Sequence, residues 1–197
     1  MSRYKYTQTL LESYYGAIGG VRRLVMGLDA SVRCRCFEEG KLKPGPVPFD
    51  DLYIDGEGYL SSRKLDDAGS RFNLRQMWAR YYDLETAFEE WANHACEHED
   101  GEICSEHVGN WSGVAAFSSW CEKIGEDKLP ILNHILPPGN GGTFPAEKAE
   151  AALAELDIFD AELKARSRGA WCGTFANEAL RELLNASLET GNPIRWC

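Results

Sequence analysis

The segment from residue 81 to residue 122 contains no Lys or Arg, yet it carries ten acidic residues. The whole chain of 197 residues has 31 acidic and 21 basic residues, so this one segment accounts for the entire formal net charge of −10. Like charges that lie close together repel one another and must be offset. The segment therefore holds a cation, faces a basic partner, or forms a solvated surface.

The overall composition is that of a globular domain: 44% of the residues are hydrophobic and 26% are charged. No apolar run approaches the roughly 18 residues of a membrane-spanning helix, and the start lacks the apolar core of a secretory signal. A sequence pI near 4.9 argues against a nucleic-acid-binding surface. We therefore expect a cytoplasmic protein with reduced cysteines and with neither a membrane nor a nucleic acid as partner.

Two patterns in the first third of the chain predict strands. Small and apolar residues alternate with Ser31, Arg33 and Arg35 over residues 30–36, which predicts a half-buried strand with Cys34 and Cys36 on its inner face. Residues 51–54 and 59–61 flank a glycine-containing turn at residues 55–58, which is typical of a hairpin. A small antiparallel sheet follows from these patterns.

The remainder of the chain favours helices, predicted over residues 84–98, 114–124, 129–136, 146–165 and 174–188. The expected fold class is α+β, with a small antiparallel sheet packed against a mainly helical C-terminal two-thirds. We interpret residues 26–197 as a single domain and residues 1–25 as an N-terminal extension. The alternative for that extension is a first helix that packs its tyrosines on the core.

One motif suggests a metal-dependent hydrolase. Residues 94–98 match the pattern H-x-x-E-H, in which two histidines one helical turn apart bind zinc and the glutamate activates water. In this hypothesis His94 and His98 bind the metal, Glu178 from a later helix is the third ligand, and Glu97 is the general base. The opposing interpretation, which we favour, is a solvated acidic helix end with two ordinary histidines.

A second metal hypothesis joins Cys34 and Cys36 with Cys96 and His98. Zinc accepts mixed thiolate and imidazole ligands. The spacing is unfavourable, because C-x-C lacks the usual two to four intervening residues. Cys96 and His98 would also face different sides of a helix unless that helix has already ended. A buried pair of free thiols is therefore the preferred interpretation of Cys34 and Cys36.

Several short motifs resemble a family of uncharacterised bacterial proteins. They are Met26-Gly27-Leu28-Asp29, Cys34-x-Cys36, Trp91-x-x-His94-Ala95-Cys96-Glu97-His98-Glu99, Ser105-Glu106-x-x-Gly109-Asn110-Trp111 and the loop from Leu136-Pro137 to Gly142. The resemblance covers roughly residues 26–156 and brings no fold or activity with it. It implies that the acidic segment with its cysteines and histidines is the functional region.

The leading functional hypothesis is an interaction protein of the immunity or inhibitor type, whose acidic face binds a basic protein partner. Complementary charge accelerates encounter and discriminates between partners. The predicted partner-binding residues all lie in the acidic segment: Glu85, Glu89, Glu90, Glu97, Glu99, Asp100, Glu102 and Glu106. The alternative from a different class is the metal-dependent hydrolase, with zinc as its cofactor.

Overall fold

The computed structural model describes residues 27–70, 75–166 and 175–197. The predicted N-terminal extension, residues 1–25, lies outside the described residues. The strands in chain order are β1 (Gly27–Arg33), β2 (Leu52–Ile54), β3 (Leu60–Ser62), β4 (Glu102–Asn110), β5 (Thr143–Phe144) and β6 (Ile194–Trp196). The described α-helices are α1 (Arg63–Ser70), α2 (Arg75–Ala92), α3 (Trp111–Ile124), α4 (Ala149–Arg166) and α5 (Phe175–Thr190).

Four of these strands form one antiparallel sheet in the order β4-β1-β6-β5, and β2 and β3 form a separate hairpin. The predicted α+β class is therefore confirmed. None of the described helices combines the length and the apolar character that a membrane crossing requires.

The main core lies between the sheet and the helices α3, α4 and α5. Phe117 of α3 and Phe159 of α4 are both fully buried, with ring centroids 4.9 Å apart. Leu28 and Val32 of β1 join the same cluster from the sheet side, and Leu180 joins it from α5. Helix α3 begins where the Asn110 side chain accepts a hydrogen bond from the Gly113 N–H at 2.8 Å, a typical N-cap.

Residues 34–101 form an insertion between two neighbouring strands. β1 pairs directly with β4, and their register ends with Arg33 opposite Glu102. The chain thus leaves the sheet after Arg33 and returns to it at Glu102. We call residues 34–101 the insertion and the other described residues the main body. The insertion contains the β2–β3 hairpin, α1 and α2, and a small apolar cluster around Val47, Leu52 and Phe88.

Several sequence-based predictions of the elements are confirmed. The hairpin forms with Tyr53 opposite Ser61, and helices cover most of residues 114–124, 146–165 and 174–188. The predicted helix over residues 129–136 is reduced to one short 3₁₀ turn, Leu132–His134. It is stabilised by the buried Glu155 carboxylate, which accepts hydrogen bonds from the N–H groups of Ile131 and Leu132.

Two predictions about the acidic segment and its neighbours are wrong, and one strand was not predicted. The strand predicted over residues 30–36 ends at Arg33. Ser31 and Arg33 are buried rather than exposed because β1 lies between β4 and β6 and is buried on both of its faces. The helix predicted over residues 84–98 ends at Ala92. Residues 102–110, for which no element was predicted, form β4, the longest strand of the sheet.

Candidate metal centre

Three cysteines and one histidine meet at the neck of the insertion. Cys34 and Cys36 lie just after the chain leaves β1, and Cys96 and His98 lie just before it enters β4. Because β1 and β4 are adjacent and antiparallel, the two ends of the insertion come together in space. Within the part of the chain that the structure describes, these four residues form the one group of His, Cys, Asp or Glu side chains that could hold a metal ion.

The distances between the four ligand atoms suit a metal ion with tetrahedral coordination. All four lie within 4.8 Å of one another. The Sγ atoms of Cys34 and Cys96 are 3.8 Å apart, and Nδ1 of His98 lies 3.3 Å from Cys36 Sγ and 3.8 Å from Cys96 Sγ. Tetrahedral zinc with its usual bond lengths separates two sulfur ligands by about 3.8 Å and a sulfur from a nitrogen ligand by about 3.5 Å. These three separations lie within about 0.3 Å of the tetrahedral values, and the other separations in the cluster are no longer than 4.8 Å.

The two halves of the cluster, Cys34 with Cys36 and Cys96 with His98, both lie outside regular helices and strands. Irregular backbone allows two side chains that are separated by one residue to point at the same place. The end of α2 at Ala92 places Cys96 and His98 in a turn, so the objection that they would face opposite sides of a helix does not apply. The turn closes through Asp100, which adopts a positive φ of 52°. The three sulfur ligands are between 3% and 7% exposed, and His98 is half-buried.

Lys43 holds the C-x-H turn from the opposite side. Its backbone N–H donates to the Ala95 carbonyl at 2.7 Å, and its ammonium group donates to the carbonyls of His94 and Cys96 at 2.8 and 3.3 Å. The side chain therefore fixes the backbone on both sides of Ala95. Such outer contacts orient metal ligands and are usual around metal centres.

Asn192 holds the C-x-C half. Its side-chain amide donates to the carbonyls of Arg33 and Cys34 at 2.9 and 3.2 Å, and Arg33 also donates to the Cys34 carbonyl at 3.0 Å. The Cys34 N–H donates to the Gly101 carbonyl at 2.9 Å, which extends the β1–β4 ladder into the neck. Sequence reasoning did not single out Lys43 or Asn192, since both act through backbone groups that only the fold brings near them.

Burial of the thiols raises their pKa values in the absence of a metal. Burial raises the pKa of Cys34, and this outweighs the hydrogen bonds with Cys36 that lower it. Burial, and then the neighbouring thiols of Cys34 and Cys96, raise the pKa of Cys36 to about 12. Both thiols therefore keep their protons at neutral pH when no cation is bound. The described cysteines are all free, as predicted from the sequence, and the predicted burial of Cys34 and Cys36 is confirmed.

The structure does not bring together the ligands of the H-x-x-E-H hypothesis. His94 and Glu97 are exposed in the turn after α2, so His94 and His98 are not one helical turn apart. Glu178 is exposed on α5, and neither it nor His94 belongs to the one candidate metal group within the described ranges. The helical premise of this hypothesis is wrong.

The predicted partner-binding acids are in different environments. Glu89, Glu90, Glu97 and Glu99 are exposed, and none of them forms an ion pair with another described residue. Asp100 is also exposed. The other three acids are half-buried: Glu85 accepts a hydrogen bond from the Tyr81 hydroxyl at 2.9 Å, Glu102 pairs with Arg195, and Glu106 lies on β4. The Glu102 carboxylate is therefore already neutralised within the fold.

Comparisons of this chain with protein-family models, with curated proteins and with solved structures find no match. The geometry of the neck and the distribution of charge are therefore the features of the molecule that bear on its function.

Proposed function

We propose that the protein binds one zinc ion through Cys34, Cys36, Cys96 and His98, and that this zinc is structural. The observation that carries the proposal is the convergence of four ligand atoms within 4.8 Å at the neck of the insertion. A set of three thiolates and one imidazole is typical of structural zinc sites. All four tetrahedral positions would be filled by the protein, which leaves no position for a reactive water.

The zinc would clamp the two ends of the insertion together. Closing a long loop restricts the unfolded chain, and a metal clip at its base supplies this restriction. The insertion has a small apolar core of its own, with Val47, Leu52 and Phe88 as its buried residues among those described. Small regions with little buried apolar surface commonly depend on a metal or disulfide for stability.

Metal content measured on protein purified without a His-tag tests this proposal. We expect about one zinc per chain, as one closed tetrahedral site requires. Cys96→Ser and His98→Ala should each lose the metal. Cys104→Ser should retain it, since Cys104 is a half-buried thiol on β4 outside the cluster. His94→Ala should also retain it, whereas the H-x-x-E-H hypothesis requires the opposite.

The proposal would be contradicted by less than about a tenth of an equivalent of zinc, with no uptake of added metal, because a preformed closed site binds zinc tightly. Loss of zinc from His94→Ala with retention of zinc in Cys96→Ser would instead support the hypothesis of a metal-dependent hydrolase.

A second proposal concerns the insertion surface: it would bind a basic protein partner through Glu89, Glu90, Glu97 and Glu99. The support is that these four carboxylates are exposed and form no ion pair with other described residues. Two of them lie on α2 and two flank His98, so the zinc would fix one pair relative to the other. Rim charges of this kind mainly raise the rate of association and its dependence on salt.

This second proposal is tested by partner capture with two variants of equal charge. One variant changes Glu89, Glu90, Glu97 and Glu99 to Gln. The control changes four exposed glutamates elsewhere: Glu122, Glu147, Glu150 and Glu189. We expect a basic partner to be lost with the first variant and kept with the control, with weaker capture at higher salt. Equal recovery with both variants would remove the proposal.

A further inference from the structure

Two of the four ligands at the neck also line a cavity of about 230 Å³ between the insertion and the main body. These two are Cys34 and Cys96, and their Sγ atoms lie 3.8 Å apart. Cys36 and His98 are not part of the cavity wall, and they contact each other at 3.3 Å between Sγ and Nδ1. The four ligands therefore divide into two sulfur ligands beside the cavity and a second pair outside its wall.

The cavity gives small uncharged molecules a route to the first pair. Glu89 and Asp100 line the cavity and are exposed, so it opens to solvent, and its walls include the apolar side chain of Phe88. A water molecule takes up about 30 Å³ in the liquid, so the cavity has room for hydrogen peroxide. Cys96 is 7% exposed and Cys34 is 3% exposed, so a peroxide that enters meets Cys96 first.

A disulfide between Cys34 and Cys96 needs only a small movement. Because an S–S bond is about 2.0 Å long, the two sulfur atoms must approach each other by about 1.8 Å. Both residues lie outside regular helices and strands, where rotation of the side chains supplies this movement. The bond would join residues that are 62 positions apart, so it would close the same loop as the zinc.

On the basis of the zinc site proposed above, we infer that a peroxide replaces this zinc with a disulfide between Cys34 and Cys96. Zinc holds both sulfur atoms as thiolates, the form that reacts with peroxides. The Cys96 thiolate attacks one oxygen of hydrogen peroxide, which gives a sulfenic acid and releases hydroxide. The Cys34 thiolate then attacks the sulfur of this sulfenic acid, and a second hydroxide leaves. The two sulfur atoms lose two electrons in all, both peroxide oxygens are reduced, and two protons convert the hydroxides to water.

The disulfide releases the metal without opening the neck. Zinc binds thiolates, so after oxidation only Cys36 and His98 remain, whereas a closed structural site has four ligands. The new bond restricts the unfolded chain in place of the metal. The insertion would therefore stay closed at its base in both the reduced and the oxidised protein.

Treatment of the zinc-loaded, full-length protein with hydrogen peroxide tests this exchange. A colorimetric zinc indicator follows release of the metal, and mass spectrometry of unreduced peptic peptides locates the disulfide. We expect one zinc to be released for each Cys34–Cys96 disulfide, and dithiothreitol with added zinc should restore the starting state. Cys104→Ser should behave like the wild type, because Cys104 lies outside the cluster.

Amide hydrogen exchange separates the two ways of closing the neck. In oxidised protein that has lost its zinc, the insertion should stay protected. In reduced protein that has lost its zinc to a chelator, the same amides should exchange at least about tenfold faster, because the insertion then opens locally.

Two variants with the same added side chain test the route through the cavity. Ala92→Phe narrows the cavity from its wall and should slow zinc release by peroxide about fivefold, because oxidation of a thiolate depends on its exposure. Ala115→Phe adds the same ring at an exposed position of α3 and should leave the rate unchanged. Zinc content and circular dichroism check that both variants are folded.

Zinc release without a Cys34–Cys96 disulfide, or with a disulfide between other cysteines, would overturn the exchange and leave the structural zinc in place. Equal rates for Ala92→Phe and Ala115→Phe would overturn the cavity as the route. A protein that binds no zinc at all would contradict the proposed function itself, so the two failures are distinguishable.

Discussion

The main body and the insertion are stabilised in different ways. In the main body, Phe117, Phe159, Leu180 and Leu184 are fully buried in one continuous cluster that joins the sheet to three helices. In the insertion, the small cluster around Phe88 is separate from that core, and Leu42 connects it to the three cysteines of the neck. The first region is held by apolar burial, whereas for the second we propose that zinc at the neck adds the stability that its small apolar cluster does not supply.

The two regions meet at the neck and through a few polar contacts, and a cavity of about 230 Å³ lies between them. Here the second contact is made by Arg195, which reaches from β6 to Gly58 and Tyr59 of the β2–β3 hairpin. The cavity lies between this contact and the neck, and pockets commonly occur at such boundaries.

Removal of the metal should have the largest effect and should separate the two regions. Structural zinc contributes about 10–16 kcal/mol to the folding of zinc-finger peptides near neutral pH. We expect a strong zinc chelator to abolish protection from amide hydrogen exchange in residues 41–62 and in α2, while α3 and α5 stay protected. Mass spectrometry of peptic peptides measures this directly. Unchanged protection of the insertion after the metal has been removed would show that its stability does not depend on the neck.

Truncation of the main core should destabilise the protein by a smaller amount. Phe117→Ala should lower the free energy of unfolding by about 3–5 kcal/mol, because it leaves a cavity in the centre of the core. Ile158→Ala is the control: this side chain is 41% exposed on α4, next to the buried Phe159, and its loss should cost less than about 1 kcal/mol. Urea denaturation followed by circular dichroism gives both values. Similar losses would contradict the assignment of the core.

A change at the contact between Arg195 and the β2–β3 hairpin should have the smallest effect. Gly58 has a φ of +82°, and an added Cβ would lie 2.9 Å from Cδ of Arg195. Gly58→Ala should therefore cost about 1 kcal/mol in backbone strain and loosen the hairpin from the sheet. Gly56→Ala, in the same turn, meets no atom within 4 Å and should be nearly neutral. Equal melting temperatures for the two variants would show that the contact through Arg195 contributes nothing.

Local patterns in the sequence predicted the parts of the fold that local interactions determine. The glycine-containing turn at residues 55–58 favours the hairpin, and the alanine- and leucine-rich composition of residues 146–165 favours α4. The alternation of apolar and polar residues that predicts a strand is absent from β4. Glu102, Glu106 and His107 place charged or polar groups on both faces of this strand. Glu102 is polar but half-buried, since its partner Arg195 comes from the far end of the chain. No local signal reveals that pairing.

The candidate site was visible in the sequence as two pairs of residues with the same spacing, C-x-C and C-x-H. The two pairs come together because β1 pairs with β4 and because α2 ends at Ala92. Nothing in residues 93–98 marks that end clearly, because His94, Ala95 and Glu97 are compatible with a continuing helix. The sequence alone therefore supports these four residues as metal ligands only weakly, whereas the structure brings their ligand atoms together.

X-ray absorption at the zinc edge tests the central claim most directly, because it counts the ligand atoms around the metal in the full-length protein. We expect three sulfur atoms at about 2.3 Å and one nitrogen atom at about 2.0–2.1 Å, with no coordinated water. His98→Ala should remove the nitrogen contribution or the metal itself. A zinc ion surrounded by nitrogen and oxygen atoms without sulfur, or a protein that takes up no zinc at all, would contradict the account.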